Sequence, residues 1–318
     1  MQVIFNTTSS RPAAFILVGI PGLEEVALWV SLPFFSVYTM AIFSNVLLLF
    51  ILKTDQGFQE PMYFLLSLLA ANDLAFPSST VPRMLALFWL DFKEIDFAGC
   101  LVQMFFVHSL SVVESGILVA MAFDRYVAIC YPLRYTSILT SAILGKIGLI
   151  IVIRAIITIL PIPVLVWHLQ YCNSNVIFHS YCEHMAVVKV LCGNVSINSM
   201  YGLVLSLSIT GLDLLAIGLS YVMILLAVFR LPSKEARHKA FSTCGAHVCV
   251  ILVTYTPGIF SFVTHRFGKE NIPHHVHILF ANVYIVFPAM LNPIVYGVKT
   301  KQIRSRALYH FHMRDPQF

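Results

Sequence analysis

The sequence predicts an all-α membrane protein, a bundle of seven transmembrane helices followed by a short amphipathic eighth helix. Of its 318 residues, 58% are hydrophobic and only 11% are charged, and the mean hydropathy is +0.84. A soluble domain would carry about 25% charged residues. Seven apolar runs are each long enough for the ~20 residues that cross a bilayer. They cover residues 27–52, 61–88, 98–123, 142–167, 198–229, 239–263 and 273–297.

The basic residues indicate how the bundle is oriented. With the N-terminus outside, thirteen of the twenty Lys and Arg residues fall on the inner side, six fall on the outer side, and Arg154 lies within the fourth run. The positive-inside rule therefore predicts an outer N-terminus and an inner C-terminus. This divides the chain into an extracellular tail (1–26), a seven-helix domain (27–298) and a cytoplasmic end (299–318). The net charge of +5 follows from this topology, and no nucleic-acid partner is predicted.

Residues 299–311 have the pattern of an amphipathic helix. Ile303, Ala307 and Phe311 form one apolar stripe at helical spacing, and basic residues occupy the other side. Such a helix would lie along the inner surface of the lipid bilayer. The alternative interpretation is a frayed basic tail.

Four of the seven cysteines fall on the predicted outer side. Cys100 opens the third run, and Cys172, Cys182 and Cys192 lie in the loop between the fourth and fifth runs. In an oxidising compartment they predict two disulfides, for which the sequence permits three pairings. The remaining three are expected to be free thiols: Cys130, Cys244 and Cys249.

Two other motifs on the outer side are candidate modification or metal sites. Asn6-Thr7-Thr8 is a glycosylation sequon, which agrees with an outer N-terminus. His179, Cys182, Glu183 and His184 are residue types that bind copper or zinc. A metal site would need the Cys182 thiolate, which a disulfide consumes, so no metal centre is predicted.

Several charged side chains lie inside the apolar runs. Asp73 and Glu114 are carboxylates in the second and third runs. An ionised acid at this depth is costly, so each is expected to face the bundle interior with partners. Asn45 and Asn292 are the predicted partners of Asp73, either in an ion-binding cluster or in a structural hydrogen-bond network. The pattern indicates no partner for two further intramembrane charges, Asp213 and Arg154.

The end of the third run places an acid beside an arginine. Asp124 and Arg125 lie at the depth where a charged side chain first becomes hydrated. The pair can neutralise itself, or the arginine can leave to bond another group. We interpret it as a two-state electrostatic element.

Five motifs in order resemble those of the rhodopsin-like G-protein-coupled receptors, and among them the odorant receptors. They are PMYFLLSLLAANDL (61–74), MAFDRYVAICYPLRY (121–135), SY (220–221), KAFSTCGAH (239–247) and PAMLNPIVYG (288–297). The segment FVTHRFG (262–268) and the long loop before the fifth run resemble the class I, fish-like branch, near its families 51 and 52. The resemblance covers essentially the whole chain. It implies a multi-pass plasma-membrane receptor that couples to a stimulatory olfactory G protein.

The resemblance also assigns structural pairs and a switch. It implies the disulfides Cys100–Cys182 and Cys172–Cys192, and a polar core that can hold a sodium ion near Asp73. No other cofactor is implied. On activation Arg125 would leave Asp124 and the start of the sixth helix would move outward. The polar core comprises Asn45, Asp73, Glu114 and Asn292, and the switch comprises Asp124, Arg125, Tyr126, Tyr221, His247 and Tyr296.

The ligand is predicted from one cation and an apolar stripe. Tyr255, Ile259 and Phe262 recur at helical spacing and lead towards Arg266, which would overhang an apolar cavity. A cavity with a cation at its rim suits a carboxylate head on a hydrocarbon tail, and class I receptors are associated with carboxylic acids. The alternatives are a solvated Arg266, a stripe that only packs, and a structural His108. The other candidate lining residues are His108, Phe105, Val112, Ile162, Gly202 and Ser206.

Together these observations predict an odorant receptor for small carboxylic acids. It is not expected to be an enzyme, because the loops are short and no step of this mechanism makes or breaks a covalent bond. The same fold serving a non-odorant lipid or metabolite is the first alternative. The second is a cation channel or transporter that uses Asp73, Glu114 and Asp213 as a path.

Overall fold

A computed structural model describes residues 13–55, 57–171, 174–192, 194–230, 233–267 and 272–312. Within these ranges the side chains of 170, 236, 239, 240, 242, 243, 265–267 and 310–312 lie outside the description. Seven helical stretches of the described residues are long and apolar enough to cross a membrane. The predicted seven-helix bundle is therefore confirmed.

The first three spans are built from four helices. Helix α1 is Ala27–Thr54, and the second span consists of α2 (Pro61–Ser78) and α3 (Val81–Leu90). The third span is the single long helix α4, Phe97–Cys130, which contacts α2, α6, α7 and α9 and is the most buried of the spans. Because α4 carries both Cys100 and Arg125, it joins the two ends of the bundle.

The remaining spans follow a short loop helix, α5 (Tyr135–Ile138). The fourth span consists of α6 (Ser141–Ile159) and α7 (Pro161–Trp167), and it breaks at a proline, which has no backbone N–H for the helical ladder. A further loop helix, α8, is His184–Val188. The last three spans and the amphipathic helix are α9 (Ser196–Phe229), α10 (Lys234–Phe267), α11 (His274–Lys299) and α12 (Lys301–His312).

We call the half of the bundle that contains Cys100 the disulfide end and the half that contains Arg125 the arginine end. At the disulfide end, strand β1 (Ala14–Leu17) pairs antiparallel with β2 (Glu94–Asp96) and parallel with β4 (Val176–Ile177). Strands β3 (Gln170–Tyr171) and β5 (Leu191–Cys192) form a second, antiparallel pair. The segment predicted as a tail is thus packed into the protein from residue 14 onward, with Phe15 and Leu17 fully buried.

Helix α12 docks against the arginine end. Ile303 is buried in the core cluster at this end, and the Tyr63 hydroxyl donates a hydrogen bond to Gln302. Arg306 forms an ion pair with Asp55 at 2.5 Å. The amphipathic helix is therefore confirmed, although it begins at Lys301 because α11 continues to Lys299; the predicted stripe residue Phe311 has no described side chain.

Candidate functional site

A cavity of about 510 Å³ occupies the disulfide end of the bundle. Its walls come from α2, α4, α6, α7, α9, α10 and α11, and the loop before α8 together with the start of α8 supplies the remaining side. The lining surface is largely apolar, but it also contains hydroxyl groups, three imidazoles and the Glu183 carboxylate, a mixture that suits a small amphiphile. Eight of the predicted ligand residues line it: His108, Val112, Ile162, Gly202, Ser206, Tyr255, Ile259 and Phe262.

Two other predicted ligand residues are placed differently. Phe105 packs against the apolar cluster around Cys100 and Phe97, and its ring meets Phe106. Arg266 lies on α10, one helical turn beyond Phe262 towards the disulfide end, but its side chain is outside the described residues. The contact between Arg266 and a ligand therefore stays a prediction.

His108 presents a polar group in an apolar wall. Its Nε2 atom is buried and has no hydrogen-bond partner among the described residues. Its ring stands edge-on to that of His184, with centroids 6.3 Å apart and an interplanar angle of 88°. A buried nitrogen without a partner is costly, so a polar ligand group at this position would gain from bonding it.

Arg154 and Asp213, for which the sequence indicated no partner, pair with each other. Arg154 donates to both carboxylate oxygens of Asp213, at 2.7 and 2.9 Å, and to the Val112 carbonyl at 3.2 Å. Ser115 donates to the same carboxylate at 2.5 Å and lies 2.6 Å from the Tyr255 hydroxyl. This floor network links α4, α6, α9 and α10. Opposite charges within a membrane are expected to pair, but the sequence alone could not show which helix faces which.

The floor network also explains one glycine. A Cβ atom on Gly116 would lie 2.9 Å from Cγ2 of Ile151 and 3.1 Å from Nη2 of Arg154. Helices α4 and α6 can approach this closely only because position 116 has no side chain. Gly116 therefore allows Arg154 to reach across to Asp213.

The predicted polar core is only partly assembled as expected. Asn292 donates to Asp73 at 3.0 Å, and Thr254 donates to Glu114 at 3.3 Å. Asn45 donates instead to the Ala289 carbonyl at 2.7 Å, so it ties α1 to α11 and does not bond Asp73. The predicted Asn45–Asp73 contact is thus replaced by a backbone contact. Three buried oxygens here have no hydrogen-bond partner among the described residues: Asn45 Oδ1, Glu114 Oε2 and Asn292 Oδ1.

At the arginine end the acid–arginine pair is closed. Arg125 bonds Asp124 Oδ2 through Nε at 2.9 Å and through Nη2 at 2.5 Å. Tyr135 in α5 donates to the other carboxylate oxygen at 2.7 Å. Burial, followed by the Asp124 charge, raises the pKa of the Tyr135 phenol, so the hydroxyl keeps its proton and remains a donor. Asp124 therefore holds both the arginine and the loop helix.

The other predicted switch residues have partners away from Arg125. The Tyr221 hydroxyl lies 2.9 Å from Nδ1 of His247, linking α9 to α10. Tyr296 points its hydroxyl at the Met121 sulfur at 4.0 Å, and Tyr126 reaches the Tyr131 hydroxyl at 3.5 Å. A smaller cavity of about 180 Å³ is lined by Arg125, His247 and Tyr296, among others. In this arrangement Arg125 is paired with Asp124, and its release stays a prediction.

The structure pairs Cys100 with Cys182, with Cα atoms 5.5 Å apart. This bond consumes the thiol that a metal site at Cys182 would need, and the described residues contain no cluster with metal-ligating composition. Cys130, Cys244 and Cys249 are free, as predicted. Cys172 and Asn6 lie outside the described residues, so the Cys172–Cys192 bond and the glycosylation remain predictions.

Comparison with known proteins identifies the family. A family model described as olfactory receptor matches residues 34–313. Olfactory receptor 52K1 of Homo sapiens is 53% identical over 310 residues, which cover 98% of both chains. Olfactory receptor 52J3 of Homo sapiens is 51% identical over 306 residues, which cover 96% of this chain and 98% of the relative. The chain therefore belongs to the olfactory receptor family, in its class I, family 52-like branch, and is a multi-pass membrane receptor for small-molecule odorants that acts through a G protein and is not an enzyme.

Proposed function

We propose that this receptor binds medium-chain carboxylic acids and activates a stimulatory G protein, with its disulfide end outside the cell. The observation that supports the ligand class is the unpartnered Nε2 of His108 in a largely apolar cavity, one wall of which leads up to Arg266. A carboxylate between an imidazole and a guanidinium forms charge-assisted hydrogen bonds. The hydrocarbon tail then lies against Val112, Ile162 and Ile259.

Binding would bias the switch through α10. This helix carries Phe262, Ile259 and Tyr255 along the cavity and His247 at the arginine end. A carboxylate that draws the Arg266 turn inward would shift the whole helix, because a helix transmits displacement along its axis. Tyr255 would move relative to Ser115 at the floor network, and His247 would move relative to Tyr221. The ligand favours the active state only to the extent that it binds that state more tightly.

At the arginine end, the outward movement of α10 would free Arg125 from Asp124. The guanidinium would then meet the hydroxyls of Tyr221 and Tyr296, and the small cavity would widen into a cleft for the G protein. Leu133 supports this interface, because it is a fully exposed apolar side chain in the loop beside α5, outside the spans. We expect the G protein to bury this side chain when it binds, as partners do with apolar anchors.

The test is a cAMP dose–response with saturated acids of about two to twelve carbons, together with the matching alcohols and methyl esters. We expect wild type to prefer the acid, and Arg266→Ala to lose the preference for acid over ester while Arg266→Lys retains part of it. Arg83→Ala is the matched control, because Arg83 is an arginine at the disulfide end that bonds the Glu94 carbonyl and stacks 4.4 Å over Phe92. An acid preference that survives Arg266→Ala would overturn the proposed head-group site.

We further propose that the polar core holds a sodium ion. Asn45 Oδ1, Glu114 Oε2 and Asn292 Oδ1 are buried oxygens without partners among the described residues, and Asp73 adds negative charge beside Asn292. Hard oxygen ligands of this kind suit an alkali cation. Replacing sodium with choline should lower the melting temperature of wild type and leave the melting temperature of Asp73→Asn unchanged. Equal changes in the two proteins would contradict a sodium site here.

A further inference from the structure

Two loop residues just before Cys182 enter the bundle instead of covering it. Ser180 is 0% exposed and Tyr181 is 5% exposed. Tyr181 belongs to a buried apolar cluster whose other members come from α1, α2, α3, α4 and α11, and we call this the α2–α11 cluster. It includes Phe34, Phe76, Met84, Val107, Ala281 and Ile285.

Tyr181 also lines the ligand cavity. Four other members of the α2–α11 cluster also face the cavity: Phe76, Val107, Ala281 and Ile285. Phe34 and Met84 are cluster members that lie on α1 and α3, away from the helices that form the cavity walls. The Tyr181 ring therefore stands between the cavity and the packed apolar side chains of the α2–α11 cluster. Burial raises the pKa of its phenol, so the Tyr181 hydroxyl stays neutral.

Hydrogen bonds on both sides fix the position of Tyr181. On the α11 side, Asn282 donates to the Ser180 hydroxyl at 2.9 Å, and that hydroxyl lies 3.2 Å from Asn282 Oδ1. On the α4 side, the Cys182 backbone N–H donates to Gln103 at 3.0 Å, and Gln103 donates to the Ser79 carbonyl at 2.9 Å. Ser180 and Asn282 are both buried, so loss of Ser180 would leave Asn282 Oδ1 without a partner among the described residues, although Asn282 would still donate to the Ile278 carbonyl, and loss of Asn282 would leave the Ser180 hydroxyl without a partner there.

We propose that Tyr181 is a specificity-determining residue whose ring closes the cavity on the α2–α11 side and sets the longest hydrocarbon tail that the receptor accepts. Ser180 and Asn282 are positioning residues that hold the ring in place. The inference rests on the proposed function in one respect, namely that a hydrocarbon tail occupies this cavity. It does not depend on which group binds the head.

The test compares length preferences in the purified receptor. Thermal stabilisation is measured with saturated acids of about six to sixteen carbons and with their methyl esters. Tyr181→Ala should move the best-binding length upward by about two to four carbons, each added methylene strengthening binding roughly fourfold. Tyr181→Trp should move it downward. Tyr181→Phe is the control and should leave it unchanged, because the ring is retained.

An unchanged length preference in folded Tyr181→Ala would overturn the inference. If that variant does not fold, Tyr181→Leu replaces it, and a smaller upward shift in the best-binding length is expected. An unchanged length preference in Tyr181→Leu would then overturn the inference. Failure of the proposed carboxylate site would give a different result from failure of the Tyr181 inference. Esters would then bind as well as acids while Tyr181→Ala still shifted the ester length preference, so the head-group site would be wrong and the Tyr181 wall would stand.

The positioning pair is tested with Ser180→Ala, Asn282→Ala and the double variant. Each should broaden the accepted range of lengths, and the double variant should broaden it no further than one single, because both changes break the same contact. A merely structural pair would lower the melting temperature without altering the length range. That result, or additive broadening, would remove Ser180 and Asn282 from the inference.

Discussion

Arg154 donates two hydrogen bonds to Asp213 across the space between α6 and α9, at 2.7 Å from Nη1 and 2.9 Å from Nη2. The Asp213 side chain is 6% exposed, so little water is available to replace its partner. Ser115 connects the pair to Tyr255, which lines the ligand cavity. The charged pair thus supports the cavity floor, and its loss should be detectable both in stability and in signalling.

Breaking the pair from one side should destabilise the receptor strongly. Arg154→Gln leaves the Asp213 carboxylate buried with only Ser115 as a donor, and breaking a buried pair in this way costs about 3–5 kcal/mol. The double variant Arg154→Gln, Asp213→Asn removes both charges and should recover part of that loss. Melting temperatures of the three proteins in detergent check this. A double variant no more stable than Arg154→Gln alone would contradict it.

A methyl group at position 116 should also destabilise the receptor, because it crowds the contact between α4 and α6. Gly116→Ala places a Cβ atom 2.9 Å from Ile151 and 3.1 Å from Arg154, and overpacking of this kind costs roughly 1–3 kcal/mol. Gly211→Ala is the matched control, since a Cβ on that α9 glycine meets nothing within 4 Å. Equal melting temperatures for the two variants would show that α4 and α6 adjust freely.

Neutralising the acid of the acid–arginine pair should raise basal signalling. Asp124→Asn removes the charge that holds Arg125 at 2.5 Å, so the resting state loses a contact that the active state does not need. We expect basal cAMP to rise by about 3- to 10-fold at equal surface expression. Asp55→Asn breaks the half-exposed pair with Arg306 at the same end and serves as the control, with little change expected. A basal level in Asp124→Asn no higher than in the control would argue against the closed pair as a restraint.

Loss of the disulfide should lower surface expression far more than loss of a free thiol. Cys100→Ser opens a bond that joins positions 82 residues apart and detaches the loop that carries Ser180 and Tyr181. Loss of such a bond costs roughly 2–5 kcal/mol, so surface expression should fall sharply. Cys130→Ser alters a free, half-buried cysteine and should leave expression intact. Comparable expression of the two variants would be the contrary outcome.

Features that depend on one helix were predictable from the sequence, whereas features that depend on two were not. The spacing of Tyr255, Ile259 and Phe262 identified a cavity wall because helical periodicity alone puts them on one face. The Arg154–Asp213 pair depends on the rotation of α6 relative to α9, which no spacing within either helix encodes. Asn45 was assigned to the correct region but to the wrong partner for the same reason.

The loop before Cys182 shows the same limit. A stretch of mixed polar and aromatic residues gives no periodic signal, so its entry into the bundle at Tyr181 could not be inferred. Strand β1 was also missed, because four residues flanked by an unpatterned segment give too little alternation to distinguish a strand from a tail. Both features are set by contacts that are distant in the sequence.

The parallel pairing of β1 with β4 has a consequence for biosynthesis. Ile16 and Leu17 lie beside Val176 and Ile177, so this edge of β1 finds its partner only after four spans have been made, whereas β2 on the other edge already follows the second span. Until then Phe15 lacks its ring contact with Tyr171, and Leu17 lacks its pairing with Ile177. Closure of this sheet is therefore a late checkpoint, and bulky tags fused directly ahead of Ala14 should lower the yield of mature receptor more than the same tags placed after α12.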